Sequence, residues 1–320
     1  MQIIINNILF EFQVQNEIKP YFEKRVIFSK YNNYKFYKKI DVIVELDNQI
    51  SLFDIDFQER SEPKFLPNGF IREIPNIGNF IFNRDSNTIM VKYSNISKYN
   101  FDVLEVVVDF TMQAIDLSTV FYNTIPLHAA VVHKHGYGVI IMGASTSGKT
   151  TTETLLIHHG FEYFSDDVLF LSQNCLLYNN QECILPMREP TVSLLNNFFG
   201  EDIIFNPLDG EKHIERYTHL SLPKNIIPAV ILLPGKTKTQ NKSEKPYIIQ
   251  KVNSSELYIS LLKESISPDF PPDIIKLYMK YLKILSESTT GYKVLRTHNY
   301  TNIYCVDLVR DLEKIINYHL

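Results

Sequence analysis

One run, Gly143-Ala144-Ser145-Thr146-Ser147-Gly148-Lys149-Thr150, constrains this chain more than any other feature. It fits the pattern G-x-x-x-x-G-K-[ST], with the apolar strand-like VIIM before it and a helix-compatible stretch, Thr150 to His159, after it. Backbone N–H groups of such a loop, together with the positive end of the following helix, bind phosphate oxygens. Lys149 would reach the β- and γ-phosphates and Thr150 would offer its hydroxyl to Mg²⁺. Gly143 through Thr150, with Thr151 behind them, are therefore the candidate nucleotide-binding residues. A chance match somewhere in the chain is on the order of one per cent from average residue usage. The alternative, an ordinary turn, sits poorly with a strand on one side and a helix on the other.

Asp166-Asp167 closes the next strand-like stretch, FEYFS, after Gly160 has ended the helix. Parallel-sheet proteins gather ligand-binding groups at the carboxyl ends of their strands, so the pair is expected to face the same crevice as the loop. Phosphoryl transfer needs a carboxylate for Mg²⁺ and another to accept the proton of an attacking hydroxyl. Adjacent carboxylates can divide those roles; an acidic pair that only caps a turn is the competing reading.

Around this centre the periodicity outlines an α/β protein with a mixed sheet, preceded by a mostly β region. IIINNILFEFQV, KRVIFSKY, KIDVIVEL, QISLFDID, NFIFNR and TIMVKYS read as strands, broken by Asn, Asp, Pro and Ser. FDVLEVVVDFTMQAIDLSTVFYN reads as a helix capped by Asn100, with Leu104, Val107, Val108, Ile115 and Phe121 at helical spacing. The expected division is residues 1–122, mostly strands and ending in that helix, and residues 123–320, the nucleotide-binding part. The Tyr and Phe of the first region would pack a core or hold a peptide. Later, IPLHAAVV reads as a single strand and IIPAVILLPG as a buried strand ended by Pro234-Gly235. SSELYISLLKESI, DIIKLYMKYLKIL and VDLVRDLEKIINYHL read as helices, and YKVLRT as a late strand.

Bulk properties exclude several classes. With 320 residues, 45% hydrophobic and 21% charged, the chain is an ordinary globular one. Its formal net charge is −4 and it has no basic block, so no nucleic-acid partner is expected. No apolar stretch reaches membrane-spanning length, and MQIIINNILFEFQVQ reads as two short strands around Asn6-Asn7 rather than as a signal peptide. Cys175, Cys183 and Cys305 show no CxxC spacing, which fits incidental thiols in a reducing cytoplasm.

The stretch LHAAVVHKHGYGVIIMGASTSGKTTTETLLIHHGFEYFSDDVLFL resembles the catalytic core of the HPr kinase/phosphorylase family, itself similar in fold to phosphoenolpyruvate carboxykinase. The resemblance lies in order and spacing: a histidine before the strand pair, the glycine loop, a helix ending in Gly, and a paired Asp. It is close over residues 127–171 and extends in architecture over 123–320. It implies an HPr-kinase-like α/β core and a serine kinase using ATP and Mg²⁺, with Asp166 as general base toward the acceptor serine and His128 as its hydrogen-bonding neighbour. It also implies Asp167 beside Thr150 at Mg²⁺. Without the resemblance, His128 before an apolar run would read as a core histidine. A homo-oligomer is also compatible, since relatives in that group form hexamers.

Arg188-Glu189 in LPMREP form the third candidate pair. Arginine can neutralise a transferring phosphoryl group, and the resemblance puts a metal-binding glutamate in this general region; a solvated ion pair on a loop is the alternative. The family signature E-x-x-G-x-G-I-I-D is replaced here by MREPTVSLLNNFFG, so the chain looks closer to divergent HPr-kinase-like proteins, some of which phosphorylate a serine of ribosomally made peptides such as lasso-peptide precursors. The expected activity is therefore ATP-dependent phosphorylation of a peptide or protein serine. The competing readings are a small-molecule phosphotransferase of carboxykinase type and a non-catalytic ATP-binding switch. An intact Lys149 with both aspartates argues against the switch.

Overall fold

In the computed structural model of the chain, which describes residues 1–26, 36–47, 62–74, 77–93, 103–179, 184–188, 206–207, 212–216, 225–236, 247–265, 270–296 and 302–319, the chain opens with a hairpin. Strand β1 (Gln2–Ile5) pairs antiparallel with β2 (Ile8–Val14), Ile5 opposite Ile8. Between them Asn6 and Asn7 sit at φ 44° and 62°. A two-residue hairpin of this hand needs two left-handed residues, and asparagine tolerates that region better than most.

Clustering of contacts divides the chain into two units, Met1–Pro126 with Ser267–Ile275, and Leu127–Ile266 with Lys276–Leu320. The first holds helix α1 (Lys19–Arg25) and strands β3 (Lys38–Leu46), β4 (Lys64–Leu66), β5 (Gly69–Ile74), β6 (Gly78–Asn83) and β7 (Thr88–Tyr93). Its seven-stranded sheet has the order β1-β2-β3-β7-β6-β5-β4, with β2, β3 and β7 parallel. Helix α2 (Val103–Ser118) packs on β6 and β7 and runs into a 3-10 turn, Thr119–Tyr122. Burial alternates along β7, with Ile89, Val91 and Tyr93 inside, as a sheet covered by a helix on one face requires. Phe10, Phe22, Phe70, Phe80 and Phe82 are all core side chains, so packing accounts for these aromatics.

One strand expectation fails here. Lys24 and Arg25, which open KRVIFSKY, belong to α1, not to a strand. Pro20 starts that helix with its fixed φ, and Phe22 inside it is fully buried with its ring 5.4 Å from Phe12. Burial of one aromatic outweighs the β-propensity of the following residues. The rest of KRVIFSKY after Val26, the segment QISLFDID and Asn100 lie outside the described residues.

After β8 (Thr124–Leu127), the second unit is built on β9 (Ala129–Lys134), β10 (Tyr137–Met142), helix α3 (Lys149–His158), β11 (Glu162–Ser165), β12 (Leu169–Ser172) and β13 (Leu177–Asn179). It continues with β14 (Ile184–Arg188), β15 (Asn206–Pro207), β16 (Lys212–Arg216), β17 (Ile227–Lys236) and β18 (Tyr247–Val252). Helices α4 (Ser254–Ser265) and α5 (Pro272–Ser288), strand β19 (Thr290–Arg296) and helix α6 (Asn302–His319) complete the described chain. The main sheet is six-stranded and mixed, in the order β11-β9-β10-β17-β19-β18. Its centre, β10-β17-β19, is parallel. Such strands are covered on both faces, which is why VIIM and AVILL read as unbroken apolar runs. One face packs Ala130, Val132, Ile141 and Leu232 against Leu155 and Leu156 of α3 and Leu308, Leu312 and Ile316 of α6.

Two details depart from expectation. IPLHAAVV is not one strand: His128 interrupts it between β8 and β9. Strand β17 does not stop at Pro234-Gly235 but continues to Lys236, paired with β19 throughout. Pairing with β10 ends at Leu232, so Pro234 lies where β17 has a neighbour on one side and its missing N–H is tolerated as on an edge strand. Of the thiols, Cys175 is free, in contact with the Ser288 hydroxyl at 3.3 Å, while Cys183 and the Cys305 side chain lie outside the described residues.

His133 on β9 is a buried histidine of this sheet, 5% exposed, its ring edge-on to Phe164 at 5.9 Å. Burial lowers its pKa, and Glu162, 3.9 Å from Nε2, opposes this. A folded pKa below the unfolded value means the unfolded chain takes up the proton first as pH falls. The stability tied to neutral His133 is thus complete above the unfolded pKa of about 6.5 and is lost as pH drops through the folded value. We expect His133→Leu to lose less stability than the parent between about pH 7.5 and about pH 5 in urea titrations. Equal losses in the two proteins would refute this.

Candidate phosphate-binding site

The registers put five segments at one end of the six-stranded sheet. Met142, the last residue of β10, lies opposite Ala129, the first of β9, so His128 and Gly143 leave the sheet side by side. Strand β11 is antiparallel to β9 and therefore ends at this same edge, delivering Asp166 and Asp167. Parallel β17 and β19 end there too, with Lys236 opposite Arg296. Ligand sites of such sheets form at this end.

The glycine loop is shaped for an anion. Thr146 and Gly148 both have left-handed backbones, φ 64° and 107°. Left-handed residues at such close spacing favour a concavity of N–H groups, and Ser147 N–H closes an internal turn on the Ala144 carbonyl at 3.1 Å. Gly148 caps α3, and no described side chain makes a capping hydrogen bond there. The first-turn N–H groups of Lys149 and Thr150 have no intrahelical carbonyl to meet, as at every helix start, and the positive end of the dipole lies behind them. Lys149 is 8% exposed and its Nζ donates to the Gly143 carbonyl at 2.8 Å, so the ammonium is folded over the loop. Further along α3, the Thr152 and Thr154 hydroxyls donate back to the Gly148 and Thr150 carbonyls at 2.8 and 2.7 Å.

The far end of α3 sets the position of the acidic pair. Gly160 at φ 88° donates to the Ile157 carbonyl at 3.0 Å and Phe161 to the Leu156 carbonyl at 3.1 Å, the double bond pattern of a left-handed helix stop. Phe161 packs into the core and aims β11 back toward the loop. There Ser165 Oγ donates to the Val168 carbonyl, and Asp166 N–H donates to Tyr163 Oη at 3.2 Å. Asp167 lies in the left-handed region at φ 61°, which turns the two neighbouring carboxylates into different surroundings: Asp166 is 4% exposed and Asp167 is open to solvent. Such a backbone costs of order 1 kcal/mol or more and persists where surrounding structure fixes it, a pattern common at functional sites.

His128 joins the loop to this pair. Its pKa is held below the ordinary value, first by the protein atoms crowding the ring and second by the Lys149 ammonium. The Asp167 carboxylate, a hydrogen bond to the Asp167 backbone and the Glu264 carboxylate act in the opposite direction. The ring keeps an exposed side, so its desolvation is partial. The described partner of His128 is therefore Asp167, whereas the resemblance implied Asp166.

His128, Lys149 and Asp167 thus lie together, with Thr150 following Lys149 and Asp166 preceding Asp167 in the chain. Arg188 ends β14, with its side chain outside the described residues, as is Glu189. Sequence reasoning missed two groups: Glu264 near the end of α4, and Arg296 at the end of β19, whose guanidinium donates to the Ser147 carbonyl. Among the described residues no cluster of three or more His, Cys, Asp or Glu could enclose a metal ion. Mg²⁺ is suited to a site of this kind, being held by one or two carboxylates plus phosphate oxygens and water rather than by a protein cage. Thr150 and Asp167 would supply the protein share.

Gly148→Ala tests the loop geometry. A Cβ there would stand 2.2 Å from Arg296 Nη2, on a backbone that L-residues avoid by roughly 1–2 kcal/mol. The expected result is loss of nucleotide binding with the sheet core intact, read by titration and circular dichroism. Undiminished binding would contradict the loop assignment.

No known protein family and no curated protein matches the chain in sequence. Among solved structures, the Hpr(Ser) kinase/phosphatase from Coxiella burnetii is similar at 14% identity and a TM-score of 0.28, over 60% of this chain and 98% of that one. The likeness is distant. No helix among the described residues is long and apolar enough to cross a membrane.

Proposed function

We propose that this protein is an ATP- and Mg²⁺-dependent serine kinase acting on a peptide or protein. The observation that carries the reading is the uncapped start of α3 beneath a loop with two left-handed residues, with Lys149 folded over it and His128 and Asp167 beside it. The backbone donors of the loop and helix start, with the Lys149 ammonium, suit a phosphate chain.

In this reading the loop amides and Lys149 hold the phosphate chain, and Thr150 with Asp167 would hold Mg²⁺, which neutralises charge on the phosphate oxygens. Asp166, buried at the end of β11, takes the proton of the acceptor hydroxyl. His128, its pKa lowered, is uncharged at neutral pH and orients Asp167 through its backbone contact. The sequence resemblance to divergent HPr-kinase-like proteins supports the same reading, since some of those phosphorylate a serine of a ribosomally made peptide.

Incubating the protein with ATP, Mg²⁺ and peptides encoded near its own gene, followed by mass spectrometry, tests the proposal. One phosphate gained on a serine is the expected product. ATP consumption with phosphate on a carboxylic acid or other small molecule instead would favour the carboxykinase-type alternative.

A further inference from the structure

Arg296 lies far from the glycine loop in sequence, yet β19 brings it there. Strand β19 runs parallel to β17 from Thr290 to Arg296, and its last residue emerges beside Lys236 at the sheet end that carries the loop. From this position the Arg296 guanidinium donates to the Ser147 carbonyl. It also lies against Gly148, so closely that any side chain at Gly148 would collide with it.

The Ser147 carbonyl and the Gly148 N–H belong to one planar trans peptide and therefore point in opposite directions. A donor that fixes the carbonyl on one side fixes the N–H on the other. Gly148, at φ 107°, has the freest backbone of the loop, and an unheld peptide next to it could rotate. Gly148 is also the cap residue of α3, so its N–H stands at the head of the orphan donors. We propose that Arg296 is a positioning residue for the phosphate site: it clamps the Ser147–Gly148 peptide so that the Gly148 N–H faces the bound phosphate. This rests on the phosphate-binding reading of the loop and adds to it a cation that contacts the loop from outside.

The clamp has a further consequence. Because Arg296 terminates β19, which is held on both sides by β17 and β18, the loop is tied to the rigid centre of the sheet rather than left to its own turn. Preorganised donors lose little freedom on binding, so removing the tie should act on affinity more than on the fold.

The test measures ADP and ATP binding by calorimetry on the full-length parent, Arg296→Ala and Arg296→Lys, with thermal melts to establish that each is folded. Arg296→Ala is expected to weaken both nucleotides by about tenfold or more, the scale of one hydrogen bond to a charged group. Lysine retains a cationic donor for the Ser147 carbonyl, so Arg296→Lys should recover most of that affinity. In amide NMR of the folded variants, the Gly148 N–H should shift on addition of ADP in the parent and in Arg296→Lys, and not in Arg296→Ala. A variant Arg296→Ala that binds as the parent does, or that shows the same Gly148 shift, overturns the proposal. If Arg296→Ala does not fold, the lysine variant decides: binding lost with lysine in place overturns the clamp. A parent that binds no nucleotide refutes the kinase reading itself, an outcome distinct from any difference among the variants.

Discussion

Asp166→Asn should abolish phosphoryl transfer while leaving nucleotide binding close to that of the parent. The amide matches the carboxylate in shape, so a side chain 4% exposed in the parent can be replaced without opening a cavity. What disappears is the ability to accept a proton. Positioned proton transfer contributes typically 10²–10⁴-fold, and a loss of turnover of about that size is expected. Asp167→Asn is the control that separates the two carboxylates. Asp167 is solvent-open, and if it serves Mg²⁺ its amide variant should regain activity as Mg²⁺ is raised, whereas Asp166→Asn should not. Because the described contact of His128 is with Asp167, the opposite pattern is a concrete alternative result. An active Asp166→Asn beside an Asp167→Asn that extra Mg²⁺ does not rescue would reverse the roles.

Lys149→Ala should weaken ATP binding and slow any remaining turnover. The ammonium is nearly buried and bonded to the Gly143 carbonyl, so it is held over the loop that would receive the phosphates. Hydrogen bonds to charged groups are worth about 1.5–3 kcal/mol, which predicts a drop in affinity of roughly ten- to a hundredfold. The transferring phosphoryl group would lose a counter-charge as well, so turnover should fall further than affinity. Equilibrium titration and steady-state rates separate the two. Unchanged nucleotide affinity in this variant would mean that the loop binds something else.

What could be read from the sequence was the local part. The glycine loop, the helix stop at Gly160 and the Asn6-Asn7 hairpin are each specified by residues within a few positions of one another, through backbone conformations that few residue types adopt. The acidic pair was legible as a strand end, and two antiparallel steps, β10 to β9 and β9 to β11, bring it to the loop. What was not legible depended on distant partners. Pro234-Gly235 looks like a strand terminator until β19 is seen to continue alongside it. Lys24 and Arg25 join a helix because Phe22 is buried against Phe12 and α1 packs on α2, which comes much later in the chain. Arg296 and Glu264 carry no motif of their own; only the register of β19 and the placement of α4 bring them to the site. A basic residue closing a late apolar strand, as in YKVLRT, was the faint signal available for Arg296.

In the proposed kinase, the sheet end between His128, the glycine loop and Asp166-Asp167 binds a nucleoside triphosphate through its phosphates. Calorimetric titration of the full-length protein with ATP, ADP and AMP, each with Mg²⁺, tests it most directly. Saturable ATP and ADP binding is expected in the range of about 1 μM to 1 mM usual for enzyme substrates, with AMP much weaker because it lacks the phosphates the loop would hold. No binding of any of the three, or AMP bound as tightly as ATP, would contradict it.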